Sequence, residues 1–389
     1  MNCMLYYFYR RICESIDKGV NYFDSAEVYG NGEGERLIGE AMPHMDRKKI
    51  WITTKIHFNM DETEERILDR FSKCQERLKT DYVDAFYIHA ADSVEKLSHK
   101  GFHSAVAKLK AEGRVKHAGL SCHGPRGDEG DSMEKILTAA SEDGRFDLML
   151  LVYNFMNKDA AEKVIAACKK NDVGVTIMKT SPGILKVDTF NPENPTDEQS
   201  QYIDRLTSRG RSKEQAFDRI REMIAEQQEI YEKTKPFAEK YKIKTDRQLR
   251  LACLQWVLNN PDICTVCMRI KDFDGVDMIL PMSGTRLSRS NDRFLRDFKY
   301  AFSNQYCRHG CRDCLDRCPH KLPVSTIMRY SYYFTMHGLE KESMVKYAGL
   351  DGHDASRCFA CDAPCKRSCP YGVSIQANLI NAHSLLTRV

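Results

Sequence analysis

Eight of the 16 cysteines fall into two groups of four, Cys307, Cys311, Cys314, Cys318 and Cys358, Cys361, Cys365, Cys369, and each group is followed by proline, Pro319 or Pro370. Thiolates at this spacing suit a [4Fe–4S] cluster. Three closely spaced cysteines on a tight loop supply three ligands, and the cysteine before proline usually serves the other cluster of a two-cluster protein. On that logic Cys307, Cys311, Cys314 and Cys369 hold one cluster, and Cys358, Cys361, Cys365 and Cys318 hold the second. The groups form an internal repeat, because Cys307 to Cys358 and Cys318 to Cys369 are both offset by 51 positions. Structural zinc sites favour two CxxC pairs on ribbons, so the third cysteine and the Cys-Pro ending of each group speak against zinc. Relative to the common CxxCxxCxxxCP, each copy has one extra residue, between Cys307 and Cys311 and between Cys361 and Cys365. The other eight cysteines are scattered and read mostly as small buried hydrophobes.

Asp24, Tyr29, Lys55 and His89 are of types that suit carbonyl chemistry. A tyrosine with a pKa near ~10 is a poor acid at neutral pH, but an adjacent ammonium lowers that value and lets the phenol protonate a carbonyl oxygen as hydride arrives. Lys55 is expected to be that ammonium, Asp24 to hold it charged and oriented, and His89 to hydrogen-bond the substrate oxygen. Up to 65 positions separate these residues, from 24 to 89. The fold must bring them together.

The elements that do so are legible as alternation. Between residues 20 and 180 the β-rich runs VNYFDSA, IWITTKI, VDAFYIH, VKHAGLSC, DLMLLVYN and VGVTIMKT alternate with helical patterns such as Ile67, Phe71, Cys74, Leu78, or Val106 and Leu109 before Gly113. Strict alternation predicts an α/β fold with a parallel sheet and helical crossovers. With CTVCMRI at 264–270 the strand count reaches seven, close to the eight of a closed (β/α) barrel. Asp24, Lys55 and His89 then close three successive strands, whose C-terminal ends converge on one face. A polar insertion at 186–245, with a helical stretch around Phe217 to Tyr241, is expected either to shape the pocket over that face or to be a solvated excursion. TDRQLRLACLQWVLNNPD restores the pattern as a helix capped by Thr245 or Asp246. From about residue 286 the strand signal ends, predicting a barrel over 1–285 and a small helical ferredoxin-like domain over 286–389.

Composition adds little about partners. A net charge of +4 and a pI of about 8.2 are too weak a bias to argue for nucleic acid. The longest apolar run, Leu148 to Phe155, is far short of the roughly 20 residues a spanning helix needs, so no membrane is expected. The start, MNCMLYYFYRR, has its arginines after the apolar stretch, the reverse of a signal peptide, and the expected location is the cytoplasm. In that reducing compartment, clustered cysteines bind metal more often than they form disulfides.

NYFDSAEVYGNGEGERLIGEAM, WITTKI and VDAFYIHA, in that order, resemble the aldo-keto reductases, and the resemblance covers roughly residues 12–182 and 245–270. It implies a (β/α)8 TIM-type barrel, NADP(H)-dependent reduction of a small carbonyl or oxidation of an alcohol, and a tetrad of Asp24, Tyr29, Lys55 and His89. It also places Ser121 of GLSCHG, with Asn154 of VYNF beside it, at the nicotinamide amide, and Lys179 of IMKTSPG near the cofactor pyrophosphate. At the eighth strand VCMRIKDFDGVDMI replaces the usual glycine-containing loop, and Arg269 and Lys271 are expected to meet a 2′-phosphate. The family's first strand and glycine-rich loop have no counterpart, since the resemblance begins inside the first helix; this implies a misplaced start or an incomplete barrel. PHKLPVSTIMRYSYYF and CPYGVSIQANL are similar to the iron–sulfur branch of that family, and CFACDAPCKRSCP resembles the helical ferredoxin domains of dihydropyrimidine dehydrogenase and its relatives. Hydride carries two electrons while each cluster passes one, and no flavin signature is present to split them. The clusters therefore take electrons from an external partner such as a ferredoxin, or through an unrecognised carrier, or they are structural. The other class that fits is a non-catalytic iron–sulfur electron carrier or a redox-responsive nucleotide-binding protein.

Overall fold

The computed structural model describes residues 3–387 apart from 126–129, 183–189, 196, 208–209, 219, 222–231, 233–235, 237–238, 242–245 and 271–272. Seven strands pair in sequence order, every pair parallel: β1 (Tyr22–Asp24), β2 (Trp51–Ile56), β3 (Val83–Ile88), β4 (Val115–Cys122), β5 (Leu148–Val152), β6 (Gly174–Met178) and β7 (Thr265–Val266). The crossovers between the early strands carry α2 (Glu33–Ala41), α3 (Glu64–Leu78), α4 (Lys100–Ala111), α5 (Met133–Glu142) and α6 (Lys158–Lys170), preceded by α1 (Cys3–Asp17).

Local chemistry accounts for these elements. Thr63 and Ser132 cap α3 and α5 by accepting hydrogen bonds from the Arg66 and Lys135 amides. The apolar stripe of α3, Ile67, Phe71, Cys74 and Leu78, is wholly buried, as its spacing predicts. β3 is buried on both faces: Phe86 and Ile88 meet the helices, while Ala85 and Tyr87 join Leu150, Trp51, Met178 and Cys267 inside the curve of the sheet.

The sheet is a curled half-barrel rather than a closed one, since among the described residues β1 pairs with β2 alone and β7 with β6 alone. These outer strands are also shorter than the sequence suggests, three residues of VNYFDSA and two of CTVCMRI. A strand with one neighbour loses half of its ladder, and its ends have less to hold them extended.

In the insertion, α7 (Asp197–Thr207) packs Ile203 and Leu206 on Ala216, Phe217 and Ile220 in a small core of its own. Most of the expected helix from Phe217 to Tyr241, and the expected cap Thr245, lie outside the described residues. α8 (Asp246–Leu258) follows where the sequence places it, then α9 (Phe273–Ile279) and α10 (Arg289–Phe302). Past residue 286 the described residues contain no strand. α10 nevertheless packs Phe294, Leu295, Phe298 and Phe302 against Phe155 and the α8 residues Leu249, Ala252 and Cys253, on the barrel side.

A separate core, including Leu322, Ile327, Tyr347, Ile375 and Leu379, joins α11 (Val324–His337), α12 (Glu340–Ala348) and α13 (Ile375–Leu386). This region sits on the loops that leave the C-terminal ends of the strands. Thr326 donates to Pro125 O (3.1 Å) after β4, Asn157 after β5 donates to His309 O (3.2 Å), and Tyr332 donates to Ser181 O (3.1 Å) after β6. The approach is closest at Gly124, where φ is +89° and an added Cβ would lie 2.1 Å from Gly310 Cα. Gly124→Ala must both strain this turn and push the helical region away, so we expect a loss of about 2 kcal/mol or more in a urea unfolding titration. An unchanged midpoint would mean that the two surfaces do not meet this tightly.

Candidate active site and cysteine cages

Three strand ends and one turn build the polar group at the mouth. Asp24 is the last residue of β1, Lys55 lies next to the end of β2, and His89 follows β3 directly, its amide bonded to Ile56 O at 2.8 Å. Tyr29 lies in the turn that follows β1, where its amide donates to Ala26 O at 3.0 Å. Parallel pairing sets Asp24 opposite Thr53 and Lys55 opposite Tyr87, so residues 24, 55 and 89 each lie two positions further along than the last, and the group runs across the strand ends as a stagger.

Lys55 is fully buried and donates to Asp24 Oδ1 at 2.6 Å and to Ser25 O at 2.5 Å. Burial by itself would lower its pKa, but Asp24 and Tyr29 outweigh that and hold it above the usual lysine value. Asp24 Oδ2 in turn accepts from the Thr53 hydroxyl at 2.8 Å. The Lys55 Nζ lies 5.1 Å from the centre of the Tyr29 ring, and His89 meets that ring edge-on at 5.5 Å. The four expected residues therefore come together at one site.

One electrostatic expectation is corrected. Lys55 does act to lower the Tyr29 pKa, but the crowded surroundings of the hydroxyl raise it more, and Asp24 adds to the rise, so the phenol titrates above its ordinary value. The residue as a whole is still 42% exposed, so water reaches the ring. The phenol is thus kept in its acid form, the form from which a proton can be given.

The residues expected around a nucleotide are placed less openly. Ser121 is buried, its hydroxyl accepting from the Ala90 amide at 2.7 Å. Asn154 is buried too: its amide nitrogen donates to Lys179 O (2.9 Å) and the Tyr306 hydroxyl (3.3 Å), and its oxygen accepts from the Met156 and Asn157 amides. Lys179 Nζ is 2.7 Å from His123 Nδ1. Arg269 donates to His337 O at 3.2 Å, and Lys271 lies outside the described residues.

Among the scattered cysteines, Cys13, Cys74, Cys122, Cys168 and Cys253 are buried as expected, but Cys264 is exposed and Cys267 only half-buried. Cys267 faces the polar group: its thiol is pushed well up, by burial first and then by Asp24, with Lys55 opposing. Sequence spacing carried no signal for it.

The eight clustered cysteines lie near one another, and Cys314 neighbours Cys365 of the second group as well as Cys311 and Cys369. The Cys307 thiol is pushed up by burial and then by Cys311, Cys314 and Cys369. That of Cys358 is raised to about 11 by burial and then by Cys318, Cys365 and Cys361. Cys307, Cys311, Cys314 and Cys369 line one cavity together, with Val324 and Tyr371 on its walls. Among the described residues no three His, Cys, Asp or Glu side chains form a site for a single metal ion. A cubane cluster spreads four thiolates over four irons and asks for a wider cage than one ion with bonds of about 2.3 Å. Gln376 ties the second loop down, donating to Cys358 O (2.8 Å) and Cys361 O (2.6 Å).

Comparison with known proteins agrees with the barrel. Residues 9–294 match the Aldo/keto reductase family, and the chain belongs to it. Among curated relatives, the probable aldo-keto reductase 1 of Glycine max is 25% identical over 176 residues, 43% of this chain and 47% of that protein. D-threo-aldose 1-dehydrogenase of Pseudomonas sp is 25% identical over 189 residues, 41% of this chain and 55% of that protein. The chain thus spans about half the length of these curated relatives. Among solved structures, an aldo-keto reductase from Bacillus halodurans superposes with a TM-score of 0.51 at 19% identity, over 74% of this chain and 86% of that one. One from Klebsiella pneumoniae, in complex with NADPH, gives 0.51 at 15% identity over 77% and 87%. At these identities the structural likeness establishes the fold alone. No described helix is long and apolar enough to cross a membrane.

Proposed function

We propose that the chain is an NADP(H)-dependent oxidoreductase that reduces a small carbonyl compound, or oxidises the alcohol, with Tyr29 as the proton donor and acceptor. The observation that carries this is the buried Asp24–Lys55 pair lying beside the Tyr29 ring, with His89 on the ring's other contact. Lys55, held charged by Asp24, stabilises the phenolate left when the proton departs. His89 donates to the carbonyl oxygen and orients it towards Tyr29. The nicotinamide cofactor, when bound, supplies the hydride. The NADPH complex of the Klebsiella pneumoniae relative supports the choice of cofactor. Ser121, Asn154, Lys179, Arg269 and Lys271 are the cofactor contacts of this reading; of these, Lys179 has a charge suited to a phosphate, while Ser121 and Asn154 already serve the protein's own backbone. Steady-state NADPH oxidation with a panel of small aldehydes, ketones and oxo acids tests the proposal, and the absence of turnover of every one by folded, cluster-loaded protein would refute it.

The same proposal divides the chain into a barrel over 1–285 and a ferredoxin-like region over 286–389, with α10 as the element that anchors the second to the first. It places the protein in the iron–sulfur branch of the family, in the cytoplasm, with two [4Fe–4S] clusters. The cavity lined by Cys307, Cys311, Cys314 and Cys369, and the nearness of Cys358 to Cys318, Cys361 and Cys365, support this. The clusters relay electrons to or from an external partner such as a ferredoxin, or brace the helices over the mouth. We expect about eight irons per chain in protein purified without oxygen, with two interacting paramagnetic signals after reduction. Cys307→Ala and Cys369→Ala should each leave about four irons, and so should the double variant, because both residues serve one cage. Cys318→Ala combined with Cys369→Ala should remove both clusters. Zinc, or about four irons in the unaltered protein, would mean that the cysteines have been misread.

A second reading, a non-catalytic electron carrier or nucleotide-binding module, is favoured by the seating of the helical region over the mouth and the internal commitments of Ser121 and Asn154. The same turnover assay decides between the two.

A further inference from the structure

Lys179 and Arg329 are 150 positions apart in sequence, one beyond the end of β6 and the other in α11. The docking of α11 brings both onto His123. Lys179 Nζ is 2.7 Å from His123 Nδ1, while Arg329 donates to His123 O (3.3 Å) and to the Thr326 hydroxyl (3.3 Å). Arg329 is buried. Among the described residues, neither cation has a carboxylate at ion-pair distance; Glu342, on the neighbouring α12, is paired with Lys346.

Two cations enclosed without an anion are costly, since each loses hydration and repels the other. Lys179 shows the cost, its pKa held well below the usual lysine value by burial first and then by Arg329. Its backbone φ is +55°, a left-handed conformation that a side-chain-bearing residue adopts at a cost of about 1 kcal/mol or more, and such strain clusters at ligand clamps. A third donor lies nearby. The Tyr306 hydroxyl accepts from Asn154 and bonds His309 Nδ1 at 2.9 Å, so the hydroxyl proton points to Nδ1 and the ring proton sits on Nε2, which is buried without a partner.

The group adjoins the tetrad. Lys179 Nζ is 5.0 Å from the centre of the Tyr333 ring, and Tyr333 and His123 lie near enough to Tyr29 and His89, respectively, for their ionised forms to influence one another.

We propose that Lys179 and Arg329 form a carboxylate-binding site at the edge of the tetrad, and that the substrate is an oxo acid or its hydroxy acid rather than a neutral carbonyl compound. This rests on the reductase reading and specifies its substrate. The resemblance puts Lys179 at the cofactor pyrophosphate; this proposal moves it to the substrate, together with Arg329, whose planar guanidinium suits a carboxylate. The carbonyl carbon gains the cofactor's hydride and the carbonyl oxygen gains the Tyr29 proton, giving the hydroxy acid and oxidised cofactor.

Pyruvate and methyl pyruvate test the site, because they share a ketone and differ in charge. The unaltered protein should show the lower KM for pyruvate. In Arg329→Met the ratio of the two KM values should shift by at least about tenfold towards the ester, and Arg329→Lys, which keeps the charge, should recover part of it. Circular dichroism of both variants checks that they fold, and the Kd for NADPH is measured alongside. A weakened Kd for NADPH with both ketones affected equally would assign the pair to the cofactor and overturn the proposal, as would an unchanged KM ratio. If neither ketone is turned over, the reductase reading fails separately. Calorimetric titration of pyruvate into unaltered and Arg329→Met protein then tests the carboxylate site alone, and equal binding, or none to either, overturns it.

Discussion

Tyr29→Phe should lower the turnover of a small aldehyde by about 10²- to 10⁴-fold, the range over which a positioned acid contributes, while the Kd for NADPH stays within about twofold. The substitution removes one oxygen and leaves the ring, so the edge contact with His89 and the approach of Lys55 persist. Because Tyr29 is 42% exposed, its loss should change stability by no more than about 0.5 kcal/mol, which separates a chemical defect from a folding one. Single-turnover NADPH oxidation is the measurement that isolates the chemical step from binding and product release. Turnover within tenfold of the unaltered protein would show that the proton comes from elsewhere and that the tetrad is structural.

Lys55→Met should destabilise the protein by about 3 kcal/mol in urea unfolding at neutral pH, towards the lower end of what breaking a buried ion pair costs. The side chains have similar length, so the packing loss is small and the effect comes from Asp24. That carboxylate is left with the Thr53 hydroxyl and 15% exposure of its side chain, too little water to replace an ammonium at 2.6 Å. Adding Asp24→Asn removes the stranded charge and should recover most of the loss, because two neutral partners in a buried site cost less than one unpaired ion. A single variant within about 0.5 kcal/mol of the unaltered protein would mean that Asp24 reaches water more freely than its burial implies.

Much of the site was legible because its residues sit at ends of elements. Asp24, Lys55 and His89 each close a β-rich run, and a parallel sheet has no other way to arrange successive strand ends than side by side. The two cysteine groups were legible because their members lie close together in sequence, and the offset of 51 shows the unit twice. Arg329 and His123 were not legible. RYSYYF reads as a plain helical stretch with one arginine, and GLSCHG as a strand end with one histidine; only the docking of α11 on the loop after β4 places them together.

By itself the sequence determined the seven strands, their order and the two cysteine groups, because each depends on periodicity or on spacing within a short segment. The tertiary structure alone decided that the sheet stays an open curve among the described residues, that burial outweighs Lys55 in setting the Tyr29 proton, and that a helix from the far end of the chain brings a second cation to the mouth. These depend on desolvation and on contacts between segments more than a hundred positions apart, quantities that no local pattern of residues encodes.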